Sequence, residues 1–149
     1  MNKINPTTCV ATSNLKIDIP DNQGRNIVLY FYPKDDTPGC TIEGNDFTQL
    51  NEAFTENNTV IYGVSRDSIA SHEKFKQKFD YTIDLISDED ESLCNQFDVI
   101  KLKKLYGKEH MGIVRSTFVI SPTGEILKHW DKVKVAEHAQ EVLEFVKEL

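Results

Sequence analysis

Ile27-Val28-Leu29-Tyr30-Phe31-Tyr32 runs directly into Pro33-Lys34-Asp35-Asp36-Thr37-Pro38-Gly39-Cys40-Thr41. The first six residues are all apolar or aromatic, the pattern of a strand buried on both faces at the centre of a sheet. Further on, Phe47, Leu50 and Phe54 recur at helical spacing, while Pro38-Gly39 breaks the strand and lets a helix start. Cys40 shares the helical face of Phe47 and falls in the first turn. A thiol there meets backbone N–H groups without intrahelical partners and the positive end of the helix dipole, and both favour thiolate over thiol. The stretch therefore puts an activatable cysteine at the carboxyl end of a central strand, where open α/β sheets carry their chemistry. Cysteine is also a common small packed hydrophobe, so the residues around Cys40 must decide between the two roles.

The rest of the chain narrows the class. Its 149 residues, 39% hydrophobic and 28% charged, predict one globular domain spanning 1–149. No apolar run approaches the ~20 residues of a membrane span, and Met1-Asn2-Lys3-Ile4-Asn5-Pro6 has no signal-peptide core. The net charge of −7 argues against nucleic acid or an anionic membrane as partner. Three cysteines (Cys9, Cys40, Cys94) without Cys-x-x-Cys point to a reducing cytoplasm with free or catalytic thiols. His72, His110, His129 and His138 are scattered without zinc spacing, so neither a metal nor another cofactor is expected. Lys101, Lys103, Lys104 and Lys108 read as a solvated loop.

In chain order, residues 1–14 are polar and read as irregular. Leu15, Ile17 and Ile19 alternate with Lys16 and Asp18 as a half-exposed strand, and Pro20-Asp21-Asn22-Gln23-Gly24 is turn chemistry. A first helix is expected from Pro38 to Phe54, then a strand at 59–65. A second helix follows, capped by Asp67 or Ser68, with Ile69, His72, Phe75 and Phe79 on one side. His72 reads as a packed histidine. A short strand at 84–87 and a helix from Asp88 to Phe97 come next, then a loop over 99–112. Residues 115–120 and 125–130 flank the turn Ser121-Pro122-Thr123-Gly124 as a hairpin. Val135, His138, Ala139, Val142, Val146 and Leu149 form an amphipathic closing helix. This order predicts an α/β protein of thioredoxin-like fold, a mixed central sheet with helices on both faces.

Pro33-x-x-x-Thr37-x-x-Cys40 resembles the active-site signature of the peroxiredoxins. The wider run Phe31–Thr41 resembles the branch called bacterioferritin comigratory protein, or peroxiredoxin Q. Arg115-Ser116-Thr117-Phe118 resembles the segment that carries the family's active-site arginine. Gly63-Val64-Ser65-Arg66-Asp67, Leu85-Ile86-Ser87-Asp88 and Lys132-Val133-Lys134-Val135 are similar to the same branch, and the front end resembles its N-terminal hairpin. The resemblance implies a thiol-dependent peroxidase, reducing hydrogen peroxide and organic hydroperoxides through Cys40. A Cys40 sulfenic acid would form and be reduced by thioredoxin or another thiol. Thr37 would hydrogen-bond the thiolate or the peroxide, and Pro33 would shield the sulfur without adding a donor. A strand beginning at Arg115 and antiparallel to 27–32 would bring its guanidinium to Cys40. The resemblance also implies a monomer.

The chain departs from the branch in one respect. Many members carry a resolving cysteine five residues after the peroxidatic one, where this chain has Asn45. Others carry it in the second helix, where this chain has Lys76. Cys94 and Cys9 are left as candidate resolving residues, but the Cys94 neighbours Leu93 and Phe97 favour packing, so one-cysteine behaviour is the expectation. A thioredoxin-type oxidoreductase would need a second cysteine in the same turn and a proline before the facing strand. Gly112-Ile113-Val114-Arg115 has no proline. A non-enzymatic redox sensor would keep Cys40 without needing Thr37 and Arg115.

Overall fold

The computed structural model describes residues 3–149. Strand β3 (Asn26–Phe31) lies inside a seven-stranded mixed sheet and is buried along five of its six residues. It pairs in parallel with β4 (Thr59–Ser65), which pairs in parallel with β5 (Asp84–Ser87). On its other side it runs antiparallel to β8 (Ser116–Ile120), and β9 (Ile126–Trp130) closes that edge. β1 (Thr7–Ala11) and β2 (Leu15–Ile19) form a hairpin on the far edge, joined to β5 through Ala11 and Ile86. The sheet order is β2-β1-β5-β4-β3-β8-β9. This is the expected thioredoxin-like α/β arrangement.

Alternation along β3 explains why both faces are covered. Ile27, Leu29 and Phe31 join one core with Tyr62, Val64, Ile86 and Phe118. Leu93, Cys94 and Phe97 of the short helix α3 (Ser92–Gln96) and its C-cap cover this face. Val28, Tyr30 and Tyr32 point the other way, into a core with Phe47 and Phe54 of α1 (Pro38–Glu56) and Phe75 of α2 (Ile69–Lys78). Val142 and Val146 of α4 (His138–Lys147) complete it. Burying each such large side chain contributes about 1.5–3 kcal/mol.

Four expectations need correction. Residues 7–11 form β1 rather than irregular chain, as the resemblance but not the polar composition implied. Most of the loop expected over 99–112 belongs instead to a separate antiparallel ribbon of β6 (Ile100–Leu105) and β7 (Lys108–Ile113). The ribbon turns at Tyr106 and Gly107, both with positive φ, as a tight hairpin requires. Its lysines and the exposed pair Leu102 and Met111 hid it, because its tip is solvated and apolar burial is confined to its base. The helix expected from Asp88 starts only at Ser92. Buried Asp88 instead receives the N–H groups of Leu93 and Cys94, at 3.0 and 2.7 Å. The closing helix starts at His138, not Val135.

The first turn of α1 is held from outside. Tyr81 O–H donates to Thr41 O at 2.8 Å, and its ring lies where a Cβ on Gly44 would come within 2.3–2.6 Å of it. Gly44→Ala must therefore displace Tyr81 from a packed core, at a cost of about 1–3 kcal/mol. A lowered urea midpoint with unchanged slope is the expected result.

Candidate active site

The site is assembled where β3 ends. Its last residue, Phe31, lies opposite Ser116 of β8, so Arg115 arrives beside the loop that follows β3. Thr41 N–H makes the first bond of α1, to Thr37 O at 2.9 Å, which leaves the N–H groups of Gly39 and Cys40 ahead of the hydrogen-bonded ladder. Cys40 is 2% exposed. Arg115 Nη2 donates to Cys40 Sγ at 3.4 Å, and Nη1 donates to Glu43 Oε1 at 2.6 Å. Gly39 makes room for this contact, since a Cβ there would stand 3.2 Å from Arg115 Nη2.

Thr37 occupies the N-cap position of α1, but its hydroxyl donates to Lys34 O at 2.8 Å instead of capping the helix. Its donor is thereby committed, and its lone pairs remain to accept a hydrogen bond. Pro33 is half-buried at the start of the loop. Sequence reasoning named Cys40, Arg115, Thr37 and Pro33, and all four lie on or against the β3–α1 junction.

It missed three acidic residues. Glu43 is one: burial holds its carboxyl up to about 7, while the charge and hydrogen bond of Arg115 pull the other way. Its position one turn after Cys40, on the face of Phe47, was the available signal. Asp35 is the second. It accepts from Tyr32 O–H on Oδ1 and from Ser71 O–H on Oδ2, each at 2.7 Å. The same Oδ2 lies 2.7 Å from His72 Nδ1, and His72 Nε2 donates to Ile86 O at 2.9 Å. Asp67 is the third, receiving Asp35 N–H at 2.9 Å and the Ser65 hydroxyl. His72, read as simply packed, is thus a buried hydrogen-bonded member of this network. Asp35, Asp67 and His72 bring one ligand atom each within 4.8 Å of one another, a spacing that could admit a cation. Asp35 Oδ2 and Asp67 Oδ2 already accept hydrogen bonds from protein donors, so the cluster is satisfied as a scaffold.

The other two thiols lie apart. Cys94 belongs to the α3-side core, and Cys9 packs against that same core, whereas Cys40 belongs to the opposite one. All three are free. Burial, reinforced by Asp88, raises the Cys94 thiol well above the usual range. Burial with Asp88 and Asp90 pushes Cys9 up to about 11.

A helix-terminal cysteine under an arginine, at the end of a buried strand in this topology, defines a thiol peroxidase of thioredoxin-like fold. Residues 3–129 match the AhpC/TSA family. Peroxiredoxin Bcp of Xanthomonas campestris pv. campestris is 53% identical over 83% of this chain and 78% of its own length. The Bacillus subtilis protein of that name is 50% identical over 89% and 85%. A solved structure of the Xanthomonas campestris bacterioferritin comigratory protein superposes with a TM-score of 0.90, at 46% identity, over 95% of this chain and 90% of the other. A cysteine-to-serine variant of Xylella fastidiosa peroxiredoxin Q gives 0.92 at 41% identity, over 99% and 96%. The chain belongs to the AhpC/TSA family, in its Bcp or peroxiredoxin Q branch, and is a thiol-dependent peroxidase.

Replacing Arg115 with Ala removes the cation from Cys40 and leaves the buried Glu43 without its partner. Losing a charged donor in a preorganised site costs about 2.7–4 kcal/mol of barrier, or roughly 10²–10³ in rate. Second-order rates of peroxide consumption check this, and an unchanged rate would mark Arg115 as a structural charge.

Proposed function

We propose that Cys40 is the residue that attacks the hydroperoxide. The observation that carries this reading is the Arg115 Nη2 contact with Cys40 Sγ in the first turn of α1. The thiolate attacks the outer peroxide oxygen in line with the O–O bond, giving a Cys40 sulfenic acid and water or an alcohol. Arg115 stabilises the thiolate and then the negative charge that develops on the leaving oxygen. Thr37 accepts the peroxide O–H, because its own proton is held by Lys34 O. Pro33 covers the sulfur without competing for it.

Organic hydroperoxides belong to the substrate class beside hydrogen peroxide. Support comes from the Xanthomonas relative, whose structures concern alkyl peroxide reduction. Thioredoxin or another thiol reduces the sulfenic acid. The protein works as a monomer of one domain spanning 1–149, in the cytoplasm. No helix among the described residues is long and apolar enough to cross a membrane.

Resolution proceeds through the external thiol, without a disulfide inside the chain. Asn45 and Lys76 occupy the two positions where relatives place a resolving cysteine. The Lys76 ammonium donates to Ile83 O and Asp84 at 3.0 and 2.9 Å. Cys94 lies in the core on the opposite face of the sheet from Cys40, with its thiol disfavoured as a nucleophile by burial. A bond between them needs Cα atoms within about 7 Å.

Cys40→Ser should abolish peroxide reduction while preserving the fold, read by stopped-flow consumption and circular dichroism. Near wild-type consumption would end the reading. Cys94→Ser should retain most thiol-supported turnover, and excess peroxide should carry Cys40 to the sulfinic acid. Peptide mapping under non-reducing conditions decides this second point. A dominant Cys40–Cys94 disulfide, with turnover lost in the serine variant, would instead establish a two-cysteine cycle.

A further inference from the structure

Glu43 sits one turn beyond Cys40 on α1, and its side chain is 1% exposed. The Arg115 guanidinium bridges the two, with Nη1 on Glu43 Oε1 and Nη2 on Cys40 Sγ. Glu43 Oε2 is buried and has no hydrogen-bond partner among the described residues. An unpartnered oxygen is costly to bury as part of a carboxylate, and much less so as the O–H of a carboxylic acid.

The groups around Glu43 leave one cation for two acids. Cys40 and Asp46 flank it on α1, Tyr30 faces it from β3, and Tyr81 from the segment before β5. Arg115 stands at the start of β8. From α4, His138 lies toward Arg115 and is hydrogen-bonded to Thr117 of β8, while Lys103 of β6 lies toward Arg115 and Cys40. Arg115 is the one cation in contact with the carboxyl among the described residues. Burial already holds the Glu43 proton up to about 7 against Arg115. A thiolate at Cys40 adds a second anion to the same guanidinium and holds that proton more firmly.

We propose that Glu43 holds a proton on Oε2 while Cys40 is a thiolate, and gives it up when Cys40 becomes a sulfenic acid. The site then keeps a single negative charge opposite Arg115 throughout the reaction. This rests on Cys40 being the attacking residue. The Cys40 sulfur attacks the outer oxygen of R–O–O–H, the S–O bond forms and the O–O bond breaks. Sulfur is oxidised by two electrons to the neutral Cys40–SOH, the peroxide is reduced, and RO⁻ departs. RO⁻ takes up one proton to become ROH. With the thiolate gone, the guanidinium stabilises a carboxylate at Glu43, which releases one proton. The proton that the leaving group needs is thus balanced inside the site. Glu43 does not touch the peroxide; it acts through Arg115 as a positioning residue.

The test counts protons. Reduced protein is mixed with one equivalent of hydrogen peroxide in weak buffer a little above neutral pH, where Glu43 keeps its proton beside a thiolate and loses it once the thiolate is gone, with an indicator dye. Intact mass and a sulfenic-acid trap verify oxidation of Cys40. The wild type should consume clearly less than one proton per Cys40 oxidised, whereas Glu43→Gln, which has no proton to release, should consume one. The pH profile should follow the same logic: as pH climbs through Glu43 ionisation, a second anion competes for Arg115 and the rate per thiolate falls. That falling limb should be missing in Glu43→Gln. Equal proton uptake in both proteins, with Cys40 sulfenic acid formed, would overturn this inference alone. Absence of any Cys40 sulfenic acid would overturn the reading of Cys40 as well. If the variant does not fold, the infrared difference spectrum of the wild type decides. Loss of a protonated-carboxyl carbonyl band on oxidation supports the proposal, and an unchanged band overturns it.

Discussion

The site depends on a single guanidinium placed between two acids. Arg115 is buried enough to act at low dielectric, with 17% of its side chain exposed, and its two terminal nitrogens point to Glu43 and to Cys40. That geometry is set by the backbone. The antiparallel register of β3 with β8 brings the residue before Ser116 to the end of β3. Gly39 has no Cβ to obstruct the approach. Charge balance follows from this placement, because neither acid has another cation in contact among the described residues.

The loop carrying Thr37 is fixed by a different kind of interaction. Asp35 gathers donors from the end of β3 through Tyr32 and from α2 through Ser71 and His72, and its own N–H is held by Asp67. His72 Nε2 extends the chain to β5 through Ile86 O. Buried polar groups satisfied in this way resist rearrangement, since moving one leaves several unpaired. The β3–α1 junction is therefore tied to three neighbouring elements, while the first turn of α1 is tied separately through Tyr81 and Thr41.

The sheet also partitions the thiols. Cys40 lies with the α1 core, Cys94 with the α3 core, and Cys9 packs against the latter on β1. Burial is the main reason the Cys94 and Cys9 thiols are hard to ionise, and Asp88 adds to it. Asp88 caps α3 through the N–H groups of Leu93 and Cys94, and its charge disfavours ionisation of both Cys94 and Cys9. Cys40 instead faces the cation.

Much of this was legible in the residues themselves. A run of six apolar residues before Pro33 can only be buried on both faces, and Pro38-Gly39 can only open a new element. The central strand, α1 and the position of Cys40 therefore followed from local chemistry. Arg115 was reachable because Arg115-Ser116-Thr117-Phe118 resembles the family's segment; the antiparallel order alone left it as readily a surface charge. The β6–β7 ribbon was not legible. Its strands are stabilised by backbone pairing with a solvated tip, so hydrophobic alternation carries little of the signal. The acidic partners were not legible either. Asp35 looks in sequence like an ordinary solvated carboxylate, Asp67 like a helix cap, and Glu43 shows only its place on the face of Phe47; burial with donors from distant segments is what makes them different. Local periodicity records which residues must leave water; only the tertiary structure decides which charges leave with them and which partners they find there.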